Sequence, residues 1–238
     1  FIFLKCDMLI MTLTDLDNHE IKKSKNCKNY LYVFHSLVST HKTYTHNAFK
    51  NFDVILTNGE YQKTELQYCE KLYNLPPKKI VNTGYMYLEK LKKERKNNTN
   101  LKRILFAPSW NKLHNNLFND HSNEIIDRLI DKKFIVTLRT HPELIKRSNK
   151  TITFLKKKYK NKENFELNTD ISNLETLNSS FILITDNGGM ALEYILVQKK
   201  PVIFINYADK VHNNFYEKIK LDALEDKFKK RFGFTIQI

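Results

Sequence analysis

The stretch FILITDNGGMALEYILVQKKPVIFIN, residues 181–206, leaves a folding chain few options. Two apolar runs of strand length flank an Asp-Asn-Gly-Gly turn and a segment of helical period from about Gly188 to Val197. A strand, a helix and a second strand in that order make a β-α-β unit, whose strands lie parallel in one sheet. Short apolar runs alternate with helical segments along the rest of the chain, so the expected class is α/β with parallel sheets.

In the first part, strands are expected near Met8–Leu13, Leu31–Phe34, Val54–Thr57 and Ile80–Asn82. The opening FIFLKCDMLIMTL reads as a buried strand. A helix near Tyr61–Tyr73 is stopped by Pro76-Pro77. The charged stretch YLEKLKKERKNNTNLKR, Tyr87 to Arg103, reads as a helix leading into a polar linker and sets the expected domains at 1–97 and 98–238. The second part restarts with the strand RILFAPSW. A helix near Asn123–Ile130, the strand FIVTLRTHP, a basic helix around Lys146–Lys160, a short strand at Phe165–Leu167 and a helix near Ser172–Asn178 follow. In the tail, Leu221, Leu224 and Phe228 stand at helical spacing, as for a helix packing back on its own domain; a membrane-surface face is the alternative.

Charge narrows the partners only partly. Lys+Arg number 40 against Asp+Glu 26, a net charge of +14. Such an excess suits a polyanion, whether nucleic acid, an anionic membrane face or phosphorylated substrates, but coding bias gives the same excess. The lysines are spread over helices rather than interleaved with aromatics on one surface, which argues against nucleic acid. Cys6, Cys27 and Cys69 show no metal-binding or CxxC spacing, so a reduced, cytoplasmic setting is expected. No apolar span is long enough to cross a bilayer.

Several polar residues fall where strands are expected to end, which is where open parallel sheets bind ligands. Asp186-Asn187-Gly188-Gly189 would place bare amides at a helix start, suited to a phosphate, with Glu193 in reach of a ribose. Taken alone, that stretch reads more readily as a capped corner. In LRTHPE, Arg139, Thr140 and His141 end a strand before Pro142, and His141 can donate to phosphate oxygens. Ser109 ends a neighbouring strand in the same way. His35 follows the strand YVF, and His41 and His46 come six and five residues on. Those gaps match no close-set ligand pair, so no metal site is expected. His35 reads instead as a general base for a hydroxyl, with Ser39 and Lys42 helping to hold anionic groups.

Together FHSLVSTHKTYTHNAFKNFDVILTNGEYQKTEL, ILFAPSWN, RTHPE and ITDNGGMALEYILVQKKPVIFIN resemble, in order, the blocks of the CDP-glycerol glycerophosphotransferase family of teichoic-acid and capsule polymerases. The resemblance implies a GT-B-like α/β fold: two Rossmann-like domains facing across a cleft, the N-terminal one beginning inside the domain. It implies a transferase moving a polyol phosphate from a CDP-activated donor to an acceptor hydroxyl. The alternatives are a GT-B glycosyltransferase using an NDP-sugar and a non-catalytic relative. His35 matches the proposed base and His141 the diphosphate-binding His-Pro pair. Ser109, Arg139, Asp186, Asn187, Gly188, Gly189 and Glu193 fall on the donor side, and Ser39 and Lys42 on the acceptor side. Ser36 stands where the family has Gly, Asn111 where it has Arg, and Gly188-Gly189 where it has two hydroxyl residues. No tightly bound cofactor is implied, and the divalent metal requirement stays open. The expected partners are the CDP-linked donor and a lipid-linked or polymeric acceptor, with the enzyme cytoplasmic and peripheral at an anionic membrane face.

Overall fold

Alternating apolar runs and helical segments produce two separate all-parallel sheets. The computed structural model describes residues 2–111, 116–170, 172–208 and 210–238. Contacts divide the chain into Phe1–Glu89 with Val211–Leu224, and Lys90–Lys210 with Glu225–Ile238.

The first unit holds β1 (Cys6–Met11), β2 (Cys27–Val33), α1 (Thr40–Thr43), β3 (Val54–Thr57), α2 (Glu60–Leu72), β4 (Lys79–Asn82) and the start of α3 (Met86–Lys93). The strands pair in sequence order, β1-β2-β3-β4, and every pairing is parallel. Tyr32 is fully buried, and Phe34, Phe49 and Phe52 meet its ring at centroid distances of 4.9, 4.8 and 5.3 Å. Aromatic edges on aromatic faces fill this core, with Tyr30, Ile55 and Leu66 around them. β1 departs from the buried strand expected at the chain start. It is the edge strand of the sheet, paired with β2, and its Met8 and Ile10 are 52% and 59% exposed.

The second unit holds β5 (Asn100–Phe106), α4 (Leu117–Asp131), β6 (Ile135–Arg139), α5 (Pro142–Arg147), α6 (Asn149–Lys158), β7 (Phe165–Asn168) and α7 (Leu174–Ser179). β8 (Ser180–Thr185), α8 (Gly189–Glu193), a π-helical turn at Tyr194–Gln198, β9 (Val202–Asn206), α9 (Leu224–Phe232) and β10 (Gly233–Gln237) follow. The sheet order is β10-β9-β8-β5-β6-β7, again parallel throughout. The chain therefore winds outward from β5 to β7, returns to lie beside β5, and winds the other way. That reversal puts a topological switch point between β5 and β8. Phe106, Leu138 and Ile184 bury the sheet against Phe118, Ile126 and Leu155 of the helices.

Four local differences from the sequence expectation have physical causes. The polar run expected as a linker is tied down by one buried side chain. Asn178 accepts from Lys96 N at 3.2 Å, and its backbone carbonyl accepts from Thr99 Oγ1 at 3.5 Å. The division of the chain accordingly falls between Glu89 and Lys90 rather than at 97/98. The basic helix is two helices, because Ser148 (φ −114°, ψ 38°) ends α5 and caps α6. In the tail, α9 has no buried residue and leads into a strand that is not among those expected. Glycine suits that strand's first residue: a Cβ on Gly233 would stand 2.3 Å from the Phe204 ring carbons, so the ring would have to shift.

Candidate donor seat and hydroxyl-activating loop

The switch point of the second unit gathers most of the residues the sequence singles out. β5 ends into Ala107–Asn111 and β8 into Asp186–Gly189. Asp186 accepts from Ser109 N at 2.7 Å and from Ser109 Oγ at 2.9 Å, while Thr185 Oγ1 donates to Ala107 O at 2.7 Å. Three hydrogen bonds thus staple the two strand-end loops together. Both donors of Ser109 go to Asp186, so Ser109 builds the seat rather than offering its hydroxyl proton to a phosphate.

Arg139 and Glu193 are also set within the protein. Arg139, 9% exposed, donates to Asn168 Oδ1, to Asp170 O at 2.8 Å and to Ser172 O at 3.2 Å. Its guanidinium organises the loop after β7. Glu193 accepts from Asn173 Nδ2 at 2.9 Å, and both residues are buried. The residues at the start of α8 are more open. Asn187, Gly188 and Gly189 are partly exposed, and Asn187 Nδ2 donates to Ala208 O at 3.1 Å. In the first turn of α8, Ala191 N donates to Gly188 O at 3.1 Å, whereas helix geometry offers the amides before it no acceptor within the helix. Gly188 has φ −93° and ψ 141°, and a Cβ there would meet Thr185 Oγ1 at an ordinary 3.4 Å. Neither backbone strain nor crowding requires glycine at this position.

His141 lies at the N-cap of α5, partly open to solvent, and its Nδ1 accepts from Glu143 N at 3.1 Å. That bond fixes the tautomer: the ring proton sits on Nε2 and is available as a donor. Trp110 stacks on the imidazole at 6.0 Å with a 20° interplanar angle. Desolvation, with the Lys210 ammonium repelling a proton, pushes His141 down to about 4. It is a neutral hydrogen-bond donor near pH 7. Lys210 itself is drawn below its ordinary value by burial, against the opposing pull of Asp186 and Glu225. Sequence reasoning missed Lys210, one lysine among many. Only the fold, which runs it back past Ala208 to the Asp186–Gly189 turn, distinguishes it.

Protonation of His141 has a definite sign. Its folded pKa lies below the ordinary 6.5, so its contribution to stability is complete above about pH 6.5 and is lost as pH falls towards 4. In a proton NMR titration the His141 ring should stay neutral down to about pH 4. A phosphate ligand seated against Nε2 should raise that midpoint. A midpoint unmoved by a saturating ligand would separate His141 from the phosphate.

In the first unit the three histidines do not converge. His35 is exposed directly after β2, whereas His41 is buried with Nδ1 at 3.4 Å from Glu65 Oε1, and His46 stacks on Tyr73 at 4.3 Å. Among the described residues no group of three or more His, Cys, Asp or Glu could hold a metal ion. Ser36 is not among the positive-φ residues, so serine fits the position where the related blocks have glycine. Ser39 is fully buried, and its Oγ accepts from Leu224 N at 2.6 Å. This leaves Ser39 a structural part of the loop rather than an open anion contact. Lys42 Nζ lies 5.7 Å from the centre of the Tyr216 ring.

Two parallel Rossmann-like units in one chain, one with ligand-suited groups at its switch point, are the build of the GT-B class. The sequence carries the likeness further. The chain belongs to the CDP-glycerol:poly(glycerophosphate) glycerophosphotransferase family, whose model matches residues 18–224. No curated protein matches it.

Among solved structures, the S. aureus MnaA-UDP complex aligns with a TM-score of 0.50 and 16% identity, over 76% of this chain and 52% of that one. A wall teichoic acid polymerase TagF aligns at 0.48 and 16% identity, over 83% and 54%. A Methanocaldococcus jannaschii UDP-GlcNAc 2-epimerase, in complex with UDP-GlcNAc and UDP, aligns at 0.49 and 14% identity, over 88% and 58%. The chain spans about half the length of these proteins.

Proposed function

We propose that this chain is the transferase portion of an enzyme of cell-surface polymer synthesis, teichoic acid or capsule. It moves a glycerol-phosphate-like unit from a CDP-activated polyol to an acceptor hydroxyl. His35 takes the proton of that hydroxyl as its oxygen attacks the phosphorus bearing the polyol. The bond from that phosphorus to the bridging oxygen breaks, and CMP leaves with the electron pair. The Nε2–H of His141 and the amides at Gly188 and Gly189 donate to the charge growing on the leaving nucleotide. Lys210 adds a cation at the same end. Glu193, held by Asn173, borders the seat on the ribose side.

The observation that carries this reading is the family match, which runs over both units and includes His35, His141 and the Asp186–Gly189 turn. The net charge of +14 supports a place against an anionic membrane face, with a lipid-linked or polymeric acceptor. No helix among the described residues is long and apolar enough to cross a membrane.

A thermal-shift series with CDP, UDP and GDP tests the donor, since a ligand at about 100 times its Kd stabilises by about 2.7 kcal/mol. CDP should raise the melting temperature by several degrees and the others by less. A preference for UDP or GDP would transfer the chain to the NDP-sugar reading. No shift with any of the three would mark it as a non-catalytic relative.

A further inference from the structure

His35 sits on a stretch with no regular structure, between the end of β2 and the start of α1. Loops of this kind move unless their backbone groups are tied. Here the carbonyls and an amide are gripped in turn. Tyr85 Oη donates to His35 O at 3.3 Å, Asn58 Nδ2 to Ser36 O at 2.8 Å, and Gln62 Nε2 to Val38 O at 3.1 Å. Glu65 Oε2 then accepts from Thr40 N at 2.5 Å and from Thr40 Oγ1 at 2.7 Å. Gln62 Oε1 also accepts from Asn58 N at 2.8 Å, so two of the gripping residues lock one another.

Asn58, Gln62 and Glu65 are spaced four and three residues apart, one stripe running from the β3–α2 corner along α2. In sequence, such a stripe reads as a solvated helix face. In the fold Gln62 is fully buried and Glu65 is 3% exposed, and they face the His35 loop. Burying polar groups gives little net stability compared with an apolar face of the same shape. What a satisfied polar stripe does provide is one defined geometry for the backbone it grips.

We propose that Asn58, Gln62 and Glu65 are positioning residues that fix the His35 loop for proton abstraction, with Asn58 gripping the carbonyl next to His35 in the chain. The proposal rests on the reading of His35 as the base, and the experiment separates the two. Asn58→Ala, His35→Ala and the double variant are compared in the full chain by CMP release from CDP-glycerol with a poly(glycerophosphate) acceptor. Amide hydrogen exchange over residues 35–40 is measured alongside.

Asn58→Ala should lower kcat about 10- to 100-fold with KM for CDP-glycerol unchanged, as for a misplaced catalytic group. In the His35→Ala background it should cause no further loss, since both changes act on one group. Exchange over 35–40 should rise in Asn58→Ala with or without acceptor. An unchanged kcat beside an inactive His35→Ala, an additive double variant, or unchanged exchange would each overturn the positioning role. Activity retained in His35→Ala would instead overturn the base assignment. Gln62→Met, of similar shape, provides a second probe, and its loss of kcat should likewise vanish in the His35→Ala background.

Discussion

Turnover should fall by about three orders of magnitude when His35 is replaced by alanine, the range in which a positioned general base contributes. Affinity for the CDP donor should stay within about twofold, because the proposed reading draws the donor contacts from the second unit. The expectation follows from the different surroundings of the three neighbouring histidines. His41 is enclosed beside Glu65 and His46 lies flat on Tyr73, whereas the His35 side chain is exposed on a backbone tied at His35 O and Ser36 O. Rapid-quench measurement of CMP release, with donor binding followed separately by calorimetry, gives both quantities. Near-normal turnover in His35→Ala would assign the proton to another group.

Arg139→Met has a comparably large effect of a different kind. It should lower the stability of the second unit by about 3 kcal/mol, the cost of removing one member of a buried charged network. The methionine fills much of the volume but leaves Asn168 Oδ1, Asp170 O and Ser172 O without the donors that now reach them. For a chain of this length that is a fall of roughly 10 °C in melting temperature, readable by calorimetry. A direct phosphate contact predicts another pattern: unchanged stability with weaker CDP binding. Which of the two losses dominates decides whether Arg139 frames the seat or touches the ligand.

The sequence makes the strands legible because buried parallel strands are short, apolar and bounded by turn residues. Val54–Thr57 lies where expected to the residue, and the PVIFIN strand within one. It also marks the strand ends that line the switch point. What stays hidden is the pairing of polar side chains with one another. Ser109, Asp186, Arg139 and Glu193 are ligand-suited residues in a ligand-suited place, and a one-dimensional reading offers them all to the ligand. The fold directs Ser109 to Asp186, Arg139 to the loop after β7 and Glu193 to Asn173. Asn178 holds down the polar run after α3 in the same way, and nothing in the composition of that run announces it. The terminal strand escapes for another reason. Phe234, Ile236 and Ile238 do alternate with polar residues, but the run is short and follows directly on a helical pattern that masks it.

The staple between the β5 and β8 loops has a bearing on how such enzymes diversify. Asp186 holds the frame through Ser109, two residues away from the position that would touch a ligand, and the frame makes no demand on residue 188. Rigidity and recognition are thereby assigned to different side chains. A substitution at 188 can exchange glycine for a hydroxyl residue without loosening the loops that flank it. A lineage can vary the residue presented at this helix start while keeping the scaffold it inherited.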